Sequence, residues 1–254
     1  MTAGTEDRSG RIGYTERRRL ADTRPCRRLL AAAARPWAGA LVACCVVVVT
    51  VLGVLFAHQS TADSLDRAVD APIITWFDGH QGLQLWLAAP GSPIPAAMLC
   101  AAIVLGCLLT GRPNGAVLAA LALPAAVGLD DALLKHLFHR TYLGQLAYPS
   151  GHTTAIFTLA TASAVVLLGP LRPVKTGPVR VVVPAIAGAL GVLVAVGVIG
   201  LQWHYFTDTV AGAAVGIAVG CGLALLLDMP AARRQLARIP SRRPQSSSRW
   251  MSEA

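Results

Sequence analysis

Tyr148-Pro149-Ser150-Gly151-His152-Thr153-Thr154 is a short polar stretch between two long apolar runs, 116–134 and 153–168. A polar turn in that setting belongs at a membrane surface, where backbone groups can meet water. Ser150 suits the N-cap of the helix that follows, and its free N–H groups make a ready anion site. His152 stands at the mouth of that site. Working outward, further apolar runs lie at 37–57, 94–110, 181–201 and 210–227. Each run approaches or reaches the ~20 residues that cross a bilayer as a helix. The fold expected is therefore all-α, an integral membrane bundle of six transmembrane helices.

Composition points the same way. The chain has 254 residues, 54% hydrophobic and only 14% charged, which excludes an ordinary soluble domain. The formal charge of +9 is unevenly placed: nine of the 22 Lys and Arg lie in residues 1–36 and six in 228–254. Arg112, Arg172, Lys175 and Arg180 fall in two short connections. With six spans, nineteen of the 22 cations share one side. The excess of cations marks that side as cytoplasmic, with both termini there. Residues 1–36 and 228–254 read as basic cytoplasmic tails without a fixed fold, and 37–227 as the membrane domain. The long connection 58–93 carries Asp63, Asp66 and Asp70 on one helical face, with Trp76, Phe77 and Trp86 suited to a segment lying on the membrane. The basic residues lack interleaved aromatics, so nucleic acid is not an expected partner; membrane lipids are. Five of the six cysteines fall inside apolar runs and read as small buried residues.

Three polar islands fall on the outer side. Besides 148–154 there are Lys135 to Arg140 and the stretch Gln202-Trp203-His204-Tyr205-Phe206-Thr207-Asp208. His204 and Asp208 are four apart, so the carboxylate can accept a hydrogen bond from the imidazole and orient it. That makes His204 a candidate nucleophile and His152 a candidate proton donor. Lys135 and Arg140 are candidate clamps for phosphate oxygens, joined by Ser150 and Gly151 at the helix start. Asp131, four residues before Lys135, can orient it by a salt bridge. His136, His139 and Gln202 stand close enough in sequence to line the same site. No cluster has metal-ligand spacing, so neither a metal nor another cofactor is expected.

With these motifs the chain resembles the type 2 phosphatidic acid phosphatase superfamily, membrane lipid-phosphate phosphatases that also include vanadium haloperoxidases. The resemblance covers roughly residues 60–227 and rests on Pro149-Ser150-Gly151-His152, on His204-x-x-x-Asp208 followed by Thr209-Val210-Ala211-Gly212, and on Lys135. It implies a metal-independent hydrolase of the cell membrane. The enzyme would cleave a lipid phosphomonoester or a polyprenyl (di)phosphate on the extracytoplasmic side through a phosphohistidine. Two positions depart from the family pattern. The arginine of the third motif falls on Val198, and the Arg-Pro of the first falls on Tyr142-Leu143. Arg140, two residues early, is the expected substitute. The alternative is a catalytically weakened lipid-phosphate binder or transporter on the same scaffold. A serine hydrolase using Ser150 is disfavoured, since the Gly-x-Ser-x-Gly elbow is missing.

Overall fold

The computed structural model describes residues 28–170 and 177–230. Of the tails expected at 1–36 and 228–254, residues 1–27 and 231–254 lie outside the described residues, as does most of the basic turn around Arg172 and Lys175.

The chain is an all-α membrane bundle. Its helices are α1 (Arg35–Phe56), α2 (Ser64–Trp76), α3 (Gln81–Ala88), α4 (Pro93–Leu109), α5 (Pro113–Leu129), the one-turn α6 (Lys135–Phe138), α7 (Gly151–Leu168), α8 (Val179–Gly200) and α9 (Phe206–Leu227). Among the described residues, five helical stretches are long and apolar enough to cross a membrane: Ala32–Phe56, Pro113–Phe138, Gly151–Leu168, Val179–Gly200 and Phe206–Leu227. The sixth expected span, α4, has 17 residues and passes only when joined to Gln81–Gly91 across a 45° bend. Large apolar side chains such as Trp37, Val54, Ile94, Leu109 and Ile186 point outward, as a bundle dissolved in lipid requires.

α7 is the central helix, packed against α9, α8, α5 and α4. α9 lies close to it because small residues line the contact. A Cβ on Gly216 would stand 2.7 Å from the Thr154 carbonyl oxygen and 2.7 Å from the Thr158 nitrogen, so only glycine allows that approach. α1 packs on the other side of α9.

Three local outcomes differ from the reading of the sequence. The helix of the third run does not stop before Lys135. It continues through a π turn, Asp130–Leu134, into α6. The connection 58–93 keeps Trp76 and Trp86 exposed, but its acidic face is tied to the bundle, which the sequence did not show. Asp63 caps α2 by accepting from the Asp66 nitrogen at 2.7 Å, and Asp66 and Asp70 are buried against the start of α9. Residues just ahead of α1, read as part of the tail, pack on the bundle: Leu29 and Leu30 are buried, and their N–H groups donate to Asp228 at 2.8 and 3.0 Å. That carboxylate, also bridged to Arg35 at 3.2 Å, ties the end of α9 to the approach to α1.

Candidate active site

Four pieces of chain meet at one end of the bundle. The π turn and α6 deliver Lys135, the start of α7 delivers Ser150, Gly151 and His152, and the tight loop before α9 delivers Trp203 and His204. A hairpin, Thr141–Tyr142 paired with Gln145–Leu146, forms the fourth wall. Its two turn residues, Leu143 and Gly144, have φ of 48° and 80°, as the favoured two-residue hairpin turn needs. Backbone bonds lock the pieces together. The Ser150 nitrogen donates to the Asp208 carbonyl at 3.0 Å, and the Trp203 nitrogen to the Val198 carbonyl at 3.0 Å.

Between these pieces lie two adjoining clefts that share Lys135, Gly151 and His152. One, of about 320 Å³, is lined by His204, Gln202 and the hairpin. The other, of about 390 Å³, runs between apolar residues of α4, α5 and α7, among them Ala96, Leu123, Val127 and Ala155. The His152 and His204 ring centres are 6.4 Å apart across the polar cleft. Trp203 packs its ring 5.4 Å from that of His152. The Nε2 of His152 lies 3.4 Å from the Ser92 hydroxyl, a long contact made by a residue the sequence did not single out.

The orienting group of His204 is not the one expected. Its Nδ1 donates to the Ala147 carbonyl at 2.9 Å, while Asp208 Oδ2 is 4.0 Å away. Asp208 is occupied elsewhere: Oδ1 accepts from Arg140 at 2.6 Å, and Oδ2 accepts from the Tyr205 nitrogen at 3.0 Å. With Nδ1 carrying the proton toward Ala147, Nε2 is the nitrogen left with a lone pair. Burial, with His152 and Lys135 nearby, pushes the His204 pKa down to about 3 against the pull of the Ala147 hydrogen bond. The ring is neutral at ordinary pH.

Arg140 also departs from expectation. It is fully buried and lines neither cleft. Its guanidinium donates to Asp66 at 2.5 Å, Asp208 at 2.6 Å and Thr207 Oγ1 at 2.6 Å, between the faces of Phe56 and Tyr205. To reach a phosphate it would have to leave two carboxylates buried without a counter-charge. Its role is to fasten α2 and the hairpin to the first turn of α9. Asp66 completes that fastening by accepting from the Thr207 nitrogen and hydroxyl at 2.9 Å each. Asp70 accepts from the Phe206 nitrogen at 3.1 Å, and burial, with Asp66 beside it, raises its pKa to about 7. The only sequence signal for this hub was the shared face of Asp66 and Asp70.

The other candidates divide. Lys135 lines both clefts and is the one Lys or Arg among their described lining residues, with its Nζ 2.6 Å from Asp131 as expected. Ser150 takes the N-cap position of α7, but its hydroxyl makes no capping bond; it is buried and unpartnered. Gly151 and Gln202 line the polar cleft. His139 stacks instead on His58, ring centres 6.0 Å apart. Val198 is fully buried and lines neither cleft.

A family model described as the PAP2 superfamily matches residues 96–230, more than half of the chain. The chain belongs to the PAP2 superfamily. No curated protein and no solved structure matches it. The matched PAP2 region runs from α4 to the end of α9 and so contains the whole polar cleft, the apolar cleft except for Gly91 and Pro93, and Lys135, His152 and His204. It leaves out α2, whose Asp66 and Asp70 hold the start of α9.

Proposed function

We propose that the protein is a membrane phosphatase that hydrolyses a lipid phosphomonoester or diphosphate, with the site on the extracytoplasmic face of the cell membrane. The observation that carries this reading is the pair of histidines facing each other across a cleft floored by Lys135 and the start of α7. The adjoining apolar cleft has room for part of a lipid chain beside the phosphate.

In this reading Lys135 and the N–H groups at the start of α7 hold the phosphate oxygens. The Nε2 lone pair of His204 attacks phosphorus as the bond to the leaving oxygen breaks. His152 gives its proton to that oxygen, so the alcohol or phosphate departs neutralised. Asp208, 4.0 Å from the ring, favours the positive charge that the phosphohistidine carries. Water then attacks phosphorus, the P–N bond breaks, and the water proton returns to His152. The test is phosphate release by detergent-solubilised protein from phosphatidate, polyprenyl phosphate and polyprenyl diphosphate. Release, inhibition by vanadate and an acid-labile phosphoenzyme absent from His204→Ala are expected. Absence of release from every lipid would overturn the reading.

One observation favours a second reading. Among the described residues no guanidinium lines either cleft, because Arg140 is locked away and Val198 replaces the family's other arginine. A single preorganised charge contact is worth roughly 10²–10³ in rate. A binder of lipid phosphates without turnover would retain vanadate or phosphate affinity and release nothing.

A further inference from the structure

We infer that Asp130 is a positioning residue that draws Lys135 over the start of α7 for the phosphate; this rests on the phosphatase reading. Asp130 continues the buried stripe of α5 made by Leu118, Ala119, Ala122 and Ala126. It is fully buried, and neither carboxylate oxygen has a hydrogen-bond partner within 3.5 Å; the Thr154 hydroxyl and the Lys135 ammonium are the donors beside it. An orphaned carboxylate inside a membrane bundle is costly and calls for a functional partner.

The π turn names that partner. The Lys135 nitrogen donates to the Asp130 carbonyl, five residues back. Residues five apart share a face only in such a turn; in an α-helix they would be rotated apart by about 140°. Lys135 is thereby returned to Asp130's side of the helix. Both charged ends converge on Gly151: a Cβ there would stand 3.4 Å from Asp130 Oδ2 and 3.7 Å from Lys135 Nζ.

Donors and acceptors match. An ammonium has three N–H bonds, and the one to Asp131 is the sole hydrogen bond that the Lys135 Nζ makes among the described residues. Asp131 is 56% exposed, whereas Lys135 is 19% exposed. One carboxylate therefore pulls the ammonium outward, and the other, buried, lies toward the helix start. Ser150 Oγ and Thr154 Oγ1, in the same first turn, are also buried without a partner within 3.5 Å, and the Thr154 hydroxyl stands beside the Asp130 carboxylate. A bound phosphate takes one Lys135 donor, Asp130 holds another, and Asp131 is released.

The test is a double-mutant cycle of Asp130→Asn, Lys135→Met and the pair, read as vanadate dissociation constant and as kcat and KM on one lipid phosphate. Asp130→Asn is expected to weaken vanadate about tenfold or more, the order of one hydrogen bond to a charged group. In the Lys135→Met background it should change affinity less than twofold. The same loss in both backgrounds, or wild-type affinity in Asp130→Asn, overturns the proposal. Asp130→Ser repeats the cycle if Asp130→Asn is recovered unfolded. If the wild type neither releases phosphate nor binds vanadate, the phosphatase reading fails separately. The coupling is then read from labelling of Lys135 by an amine reagent at fixed pH. Several-fold faster labelling in Asp130→Asn supports it, and an unchanged rate rejects it.

Discussion

His204 and Arg140 illustrate how differently two polar residues a few ångströms from one site can be used. His204 lines the cleft, so its removal should silence turnover while leaving the bundle intact: His204→Ala is expected to retain the wild-type melting temperature within a few degrees and to yield no phosphoenzyme. Its depressed pKa also has a stability consequence. The unfolded ring takes a proton below about pH 6.5, whereas the folded ring resists it down to about 3. The neutral imidazole therefore contributes stability above pH 6.5 that is lost progressively as pH falls toward 3. Wild type should lose stability relative to His204→Ala across that window, and parallel unfolding curves in the two proteins would refute the assignment. Arg140→Ala behaves in the opposite way. It strands Asp66 and Asp208 in a buried hub, at a cost of roughly 3–5 kcal/mol for a broken buried pair. Poor folded yield is expected, with activity per folded molecule less affected than in His204→Ala. A well-folded, inactive Arg140→Ala would restore Arg140 to the phosphate.

At the scale of elements, α2 and α9 depend on one another through charge at a helix start. Asp66 and Asp70 accept from the first N–H groups of α9, the end of a helix where anions are favoured. Asp70 does this at a cost, since its pKa stands near 7, raised first by burial and then by Asp66. Between about 4 and 7 the folded state binds the extra proton, so folding weakens as pH rises through that window. Asp70→Asn keeps an acceptor for the Phe206 nitrogen and removes the titration. Its melting temperature should gain on wild type at pH 8 relative to pH 5; an equal difference at both would sink the argument. The contact between α7 and α9 is steric instead. Gly216→Val places a branched side chain against the α7 backbone, so helix separation and a large loss of stability are expected in a detergent melting assay.

For the whole molecule the number of crossings turns on α4. α4 is about 26 Å long at 1.5 Å per residue, slightly short of a ~30 Å hydrocarbon core. Joined to α3 through the bend at Gly91 and Ser92 it reaches farther. If α4 crosses, six spans put both tails on one side, in keeping with the cations. Reporter fusions after Gln81 and after Gly144 are then expected outside, and those after Gly111 and Gly177 inside. Gln81 and Gly111 on the same side would leave five spans and part the two tails.

Much of this was legible in the chain because a bilayer imposes local rules. Each apolar run must satisfy its own backbone, so spans and the polar islands between them can be read without knowing what packs on what. The identities of Lys135, His152 and His204 follow from those islands, and the structure brings all three to one cleft. The tertiary structure alone decided which polar groups spend their hydrogen bonds where. Arg140 meets Asp66, a residue 74 positions away, and once paired there it is closed to a ligand. Asp208, committed to Arg140 and Tyr205, leaves His204 to a backbone carbonyl that no side-chain spacing could reveal. The π turn that re-aims Lys135 leaves no mark in the hydrophobic pattern either, because buried polar groups are satisfied by proximity in space, and spacing along the chain reports only neighbours on one helix.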